Sequence, residues 1–466
     1  MARARYALRS AERFKDRATH AMKLFPAWMN RDLGLLLTGR ALRSLVQGYL
    51  AILVPIYVAK LGFDALHVGY LFTASAVASA ALAAAVGFLS DRFGRRNLLI
   101  VISLMSVAAG VMFAKATSFA MLAVGAALGT VGRTGPAGAG GSVGPYFPAE
   151  QALIAEHSSD AARTTVFGAL AFVGVVAGAV GALMAASPHA ISALFAIPLL
   201  DAYRALFWTA AAAGVAMALV TFPISEHPRE TVPCEPARAA HRSEPAPADN
   251  RAGRKVLGLS RRSWWFVLRF GAINGTNGFA VGMLGPFVVY WFYRRFGASA
   301  SEIAGLFFVI NLAAGLPNLM VGRISRQAGT LNTIVVARAV SSAFLLATVL
   351  MPTYLMAAFM YAVRSVVGAL WVPARQSYLM AMVDRSERAT AAGLTNLPLQ
   401  VTSLVSPPVA GFLMQEVAPG LPIALAAILQ GLTAAMYYGF FRGLNPPEEQ
   451  ATAGGPSGEG EKRRAE

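Results

Sequence analysis

Apolar residues in this chain gather into long unbroken runs rather than the stripes of an amphipathic helix, with short polar stretches between them. A helix crosses the hydrocarbon core of a bilayer in about 20 mostly apolar residues. Stretches of that kind lie at roughly 33–59, 66–90, 97–115, 119–150, 164–187, 203–224, 264–292, 301–322, 331–351, 354–380, 388–415 and 421–442. Between the sixth and seventh lies SEHPRETVPCEPARAAHRSEPAPADNRAGRK, rich in Pro, Ala, Arg and Glu and without helical periodicity, which reads as a flexible linker. The tail NPPEEQATAGGPSGEGEKRRAE has the same character. The pattern predicts an all-α polytopic membrane protein with twelve transmembrane helices. Its parts are a basic arm over 1–31, a six-helix bundle over 32–224, the linker over 225–262, a second six-helix bundle over 263–443 and a polar tail over 444–466.

Composition agrees: of 466 residues 56% are hydrophobic and 14% charged, with mean hydropathy +0.54, far from a soluble average. A net charge of +17 would suggest nucleic acid in a soluble protein, but here its distribution matters more. Outer loops hold Lys60, Lys115, Arg204, Arg294 and Arg295, while most of the other Lys and Arg fall on the opposite side. That bias predicts a multi-pass protein of the cytoplasmic (inner) membrane with both termini cytoplasmic, whose partner is the bilayer and not nucleic acid. The arm carries Arg3, Arg5, Arg9, Arg13, Lys15, Arg17, Lys23 and Arg31 without a continuous apolar core or a cleavage site. It reads as a basic segment beside anionic lipid and not as a secretory signal. The single cysteine, Cys234, excludes an internal disulfide and a cysteine metal cluster. No metal and no cofactor are expected.

The linker divides the spans six and six, and the two halves repeat. PAEQALIAEHSSDAARTTVFG in the first aligns without a gap on PARQSYLMAMVDRSERATAAG in the second, matching Pro148 to Pro373, Gln151 to Gln376, Arg163 to Arg388 and Gly168 to Gly393. Gly87, Asp91 and Gly94 likewise match Gly322, Arg326 and Gly329. Parallel repeats of this kind are a transporter signature.

The stretch GFLSDRFGRR, Gly87 to Arg96, sits in the short loop after the second span. Gly94 permits a sharp turn, Gly87 a close helix approach, and Arg92, Arg95 and Arg96 hold the loop inside. Asp91 is the one carboxylate in a basic loop. This stretch fits G-x-x-x-D-[RK]-x-G-[RK]-[RK], and with the spans, linker and repeat it resembles the major facilitator superfamily over residues 30–442. The resemblance implies two pseudo-symmetric six-helix bundles rocking about a central cavity lined by spans one, four, seven and ten. It implies a latch formed by Gly87, Asp91, Arg92, Gly94 and Arg95, in which Asp91 engages the start of the eleventh span. It further implies a monomeric secondary transporter of a small molecule, coupled to protons. The fifth span reads GVVAGAVGALM and lacks the G-P-x-x-G-G of drug antiporters; Arg133 stands where the superfamily often has an arginine, in RTGPAGAGG, without the usual spacing.

Ionisable groups inside spans are costly and mark function by default. Arg43 lies about ten residues, roughly 15 Å, into the first span. Arg133 and Arg364 lie near the middle of the fourth and tenth, and Arg269 one to two turns into the seventh. These four, with Gln47 and Asn274, are the candidate substrate contacts, and arginine suits carboxylate or phosphate. The same guanidinium groups could instead brace the bundle through carbonyls and amides. Arg40 and Arg338, nearer the span ends, read as snorkelling structural residues. Glu150 is the one carboxylate within the fourth predicted span, and its repeat mate is Arg375. The pair forms either a proton-linked gate between the halves or a static ion pair.

GGSVG, Gly140 to Gly144, matches the hydrolase pattern G-x-S-x-G, but membrane helix on both flanks removes Ser142 as a nucleophile. No G-x-x-x-x-G-K-[ST] loop occurs, so direct ATP drive is not expected. The chain is expected to be no enzyme but a secondary active transporter, of an organic anion or, alternatively, a proton-coupled efflux pump with structural arginines.

Overall fold

The computed structural model describes residues 29–129, 145–157, 163–225, 260–383 and 387–444. The basic arm, most of the linker, the tail and residues 130–144, which hold Arg133 and GGSVG, lie outside the described residues. Among the described residues the regular structure is entirely helical. The first half contains α1 (Arg31–Lys60), α2 (Ala65–Phe93), α3 (Arg95–Ala114), α4 (Phe119–Gly129), α5 (Tyr146–His157), α6 (Arg163–Met184), α7 (Ser187–Phe195) and α8 (Leu199–Thr221). The second contains α9 (Arg261–Leu284), α10 (Phe287–Phe296), α11 (Ala300–Ala328), α12 (Thr330–Leu350), α13 (Tyr354–Ala369), α14 (Trp371–Met382), α15 (Arg388–Glu416) and α16 (Leu421–Phe441). Nine described segments are long and apolar enough to cross a membrane, with α13 and α14 counted as one. Twelve spans are consistent with this: α4 and α5 flank undescribed residues, α9 is polar because it carries Arg269, Asn274 and Asn277, and α11 contributes the shorter apolar stretch Ala300–Ala314.

Local chemistry sets the helix starts. Asn30 accepts the Leu33 N–H at 2.8 Å to begin α1, and Asp64, Ser260 and Thr353 cap α2, α9 and α13 in the same way. Ser299 and Glu302 form a full capping box at α11. The turn after α2 is made by Gly94 at φ 84° and ψ 141°, a region open essentially to glycine alone. Its repeat mate Gly329 adopts φ 83° and ψ 143°. The helices repeat as the sequence does: α2 and α11 have bounds 235 residues apart at both ends, and α5 and α14 have bounds 225 apart.

The apolar core shows how the halves meet. Toward one end it is continuous across both, joining Val46–Val58 of α1 and the start of α2 to the end of α9, α10 and the start of α11. Toward the other end the described residues form two separate cores. One inner core belongs to the first half, with Leu33, Leu36, Leu153 and Val166; the other belongs to the second, with Phe266, Ile334, Tyr378 and Phe441. The joined end is sealed by α2 against α15: a Cβ on Gly69 would lie 2.6 Å from the Pro407 carbonyl oxygen, and one on Gly411 would lie 2.5 Å from that of Ala65. Thr73 Oγ1 donates to the Leu404 carbonyl at 3.0 Å in the same contact. The divided end carries the starts of α1 and α9 and the end of α16.

Candidate functional site

Between the sealed core and the two inner cores each half holds a buried polar layer. In the first half this layer centres on Glu150 of α5, 3% exposed. Arg43 Nη2 donates to both its oxygens, at 2.9 and 2.7 Å, and Arg40 Nη1 donates to Oε2 at 3.1 Å. Arg40 and Arg43 stand three residues apart on α1, so both fall on the face toward α5. The Arg43 guanidinium also lies 4.6 Å from the Tyr146 ring centre, and the Tyr146 hydroxyl donates to Ser103 Oγ at 3.2 Å. Small cavities of about 30 and 20 Å³ flank this contact, one toward the sealed end with Gln47 and Leu50, the other toward the divided end with Glu150 and Leu36. Either has room for a water.

The second half places arginines where the first has a carboxylate. Arg375, the repeat mate of Glu150, is 8% exposed and donates to Asn274 Oδ1, while Asn274 Nδ2 donates to the Thr395 carbonyl at 2.6 Å. Arg338 of α12 is 4% exposed and donates to Asn277 Oδ1 and, at 3.2 Å, to Thr433 Oγ1. Arg338 and Arg375 both pack on Trp371, 4.3 and 4.8 Å from its ring centre. Arg364 of α13 is half-buried and reaches Gln430 Oε1 at 3.5 Å.

The residues singled out in the sequence therefore do not form one cluster. Glu150 pairs with Arg40 and Arg43, not with Arg375, which takes an amide partner in its own half. The inter-half pair is absent from this conformation because the inner cores are separate. Arg269 turns away from the other candidates: it lies 3.4 Å from the Trp265 ring centre and donates to the Phe440 carbonyl at 3.3 Å, a bracing geometry. Gln47 is half-buried beside Arg43, Asn274 and Arg364 lie in the second polar layer, and Arg133 is undescribed. Of the latch, Gly94 makes the turn and Arg95 bridges Glu156 at 3.0 Å at the end of α5. Gly87 and the side chains of Asp91 and Arg92 lie outside the described residues. Arg40 and Arg338, read from the sequence as snorkelling, are buried members of the two polar layers. Their signal was present in the spacing of Arg40 to Arg43 and in Thr433 and Asn277 at matching depth.

Two repeated helical halves, sealed together at one end and divided at the other around buried charge, define a polytopic membrane carrier. The family model of the Major Facilitator Superfamily matches residues 36–275 and again 270–464. The chain belongs to this superfamily, whose fold is that of transporters and not of enzymes. Among solved structures it is similar to a bacterial homologue of the human lysosomal transporter Spinster in an inward-facing, unoccupied conformation, with TM-score 0.62 and 17% identity over 88% of this chain and 96% of that one. It is also similar to the nucleoside transporter NupG, with TM-score 0.61 and 13% identity over 89% and 98%. A D-xylose–proton symporter gives 0.61 and 14% identity over 88% and 98%. These likenesses show the fold alone. An uncharacterised membrane protein of Saccharomyces cerevisiae is 24% identical over 155 residues, 33% of this chain and 34% of that one. The match spans about a third of that relative's length.

Proposed function

We propose that the protein is a secondary active transporter that moves a small organic anion across the cytoplasmic membrane by alternating access, with both termini inside, and that Glu150 couples transport to protons. The observation that carries this reading is the pair of buried polar layers at one depth below the seal. A carrier needs its charged groups where both openings can reach them, and a depth between one joined core and two separate ones meets that need. Protonating Glu150 removes the negative charge that Arg40 and Arg43 share, so an anion is drawn in as the proton binds. Small cavities on both sides of Arg43 support a water path to the carboxylate.

The test is proton flux in proteoliposomes containing an entrapped pH-sensitive dye, under an imposed pH gradient, with organic anions, cations and neutral metabolites added in turn. The expected result is flux elicited by an anion and lost in Glu150→Gln. Flux elicited only by cations or neutral solutes would instead favour efflux with structural arginines, as the bracing contact of Arg269 on Trp265 exemplifies.

A further inference from the structure

The two polar layers differ in their charge balance. In the first half one carboxylate bridges two arginines. In the second, three arginines on adjoining helices share a layer, and among the described residues no carboxylate bridges any of them. The described carboxylates of this half sit at helix ends: Glu302 in the α11 capping box, Glu387 before α15 accepting from Ser260, and Glu416 exposed at the end of α15. Neutral acceptors, Asn274, Asn277, Thr433 and Gln430, orient the guanidinium groups and leave their charge uncompensated. A buried charge without a partner is costly, and more so in a bilayer.

The unmet hydrogen bonds point the same way. Buried side-chain atoms of this layer without a partner among the described residues are Arg364 Nε, Arg375 Nε, Trp371 Nε1, Gln430 Nε2 and the Tyr437 hydroxyl. The four nitrogens are donors, and the hydroxyl is able to donate. Trp371, Gln430 and Tyr437 are at most 5% exposed. Such a surplus of positive charge and of N–H groups matches a ligand that only accepts and is itself negative. The break between α13 and α14 at Leu370 precedes Trp371, which lies against Arg338 and Arg375, and the layer lies at the edge of the inner core that faces the divided end.

We infer that the second half contains a binding site for a small soluble oxyanion, a carboxylate or phosphate compound, held by Arg338, Arg364 and Arg375 with Tyr437 and Gln430 as further donors. The site rests on the transporter reading for its role as the substrate's station, but its existence is independently testable. It replaces the arginine set read from the sequence, of which only Arg364 belongs to it. Arg338 and Arg375, fixed against Trp371, supply field and orientation. Arg364, whose side-chain bond to Gln430 is long, is the group free to close on the ligand.

The full chain in neutral detergent is titrated calorimetrically with sodium phosphate, sodium succinate and, as a cationic control, choline chloride. In parallel, arginine modification by phenylglyoxal is mapped by mass spectrometry with and without each compound. The site predicts saturable binding of phosphate or succinate but not choline, and protection of Arg364 while the exposed Arg294 still reacts. It also predicts affinity at least tenfold weaker in Arg364→Gln and in Arg338→Lys. Protection mapping needs no variant, so it decides the matter even if a substitution unfolds the protein. No oxyanion binding, or binding unchanged in both variants with Arg364 unprotected, overturns the site. Protection by phosphatidylglycerol nanodiscs alone, and not by phosphate or succinate, assigns the arginines to a lipid headgroup and overturns it as well. Glu150-dependent proton flux with a neutral solute and no oxyanion binding would remove this site and leave a carrier. Protection of Arg364 by phosphate with no solute ever moved would keep the site and remove the transporter reading.

Discussion

Charge at single residues carries most of the functional argument, and the residues differ in what holds them. Glu150 is the carboxylate that Arg40 and Arg43 share, so removing it takes one negative charge from beside two buried cations. Breaking a buried pair by deleting one partner costs about 3–5 kcal/mol. Glu150→Ala is expected to lose that much, seen as a lowered melting temperature in detergent, while Glu150→Gln keeps a hydrogen-bond acceptor and loses less. An unchanged melting temperature in the alanine variant would mean that water or lipid already satisfies the arginines. Arg269 gives the contrasting case, because its contacts are one indole face and one carbonyl. Cation–π contacts contribute about 0.5–2 kcal/mol, and Arg269→Lys should lower thermal stability by an amount in that range while solute-driven flux persists. Loss of flux at unchanged stability would return Arg269 to the substrate path.

At the scale of elements, the turn and the seal each depend on glycine for a different reason. Gly94 and Gly329 occupy a backbone region that other residues enter at about 1–3 kcal/mol. Either Gly→Ala change should destabilise by that order in a denaturation series, and the two should add because they lie in different halves. Gly411, in contrast, is needed for room: its helix meets α2 so closely that a side chain strikes the Ala65 backbone. Gly411→Val should weaken the seal and shift the protein toward an opening at that end. A cysteine introduced as Thr73→Cys, with the native Cys234 replaced, would then react faster with a charged maleimide than it does with Gly411 intact. Equal rates would mean that the α2–α15 contact is not the closure.

How much of this was legible in the sequence follows from what a linear pattern encodes. Spans, linker and repeat are one-dimensional properties, and the repeat spacings read from Pro148/Pro373 and Gly87/Gly322 reappear as equal helix bounds. Position along each apolar run was legible too: Arg43, Glu150 and Asn274 are buried within helices, and Arg364 is half-buried within one. Rotation about each helix axis was not. It decides that Glu150 faces Arg40 and Arg43 rather than Arg375, that Arg338 points into the bundle instead of snorkelling, and that Arg269 lies on Trp265. Those choices arise from packing of several helices at once, which no local window contains.

For the whole molecule, the proposed alternating access makes a core joined at one end and divided at the other one member of a pair of states, with the exchange between them as the transport step. Asn97 and Asn332, exposed and equivalent by the repeat at the starts of α3 and α12, report on the divided end from opposite halves. The most direct test is double electron–electron resonance between spin labels at these two positions in a Cys234→Ser background, in lipid nanodiscs. Measurements would be made across pH and with phosphate or succinate added. Alternating access predicts a long distance and a shorter one, with populations shifted by pH in the wild type and locked in Glu150→Gln. A single distance, unmoved by pH, by any added solute and by the loss of Glu150, would contradict it.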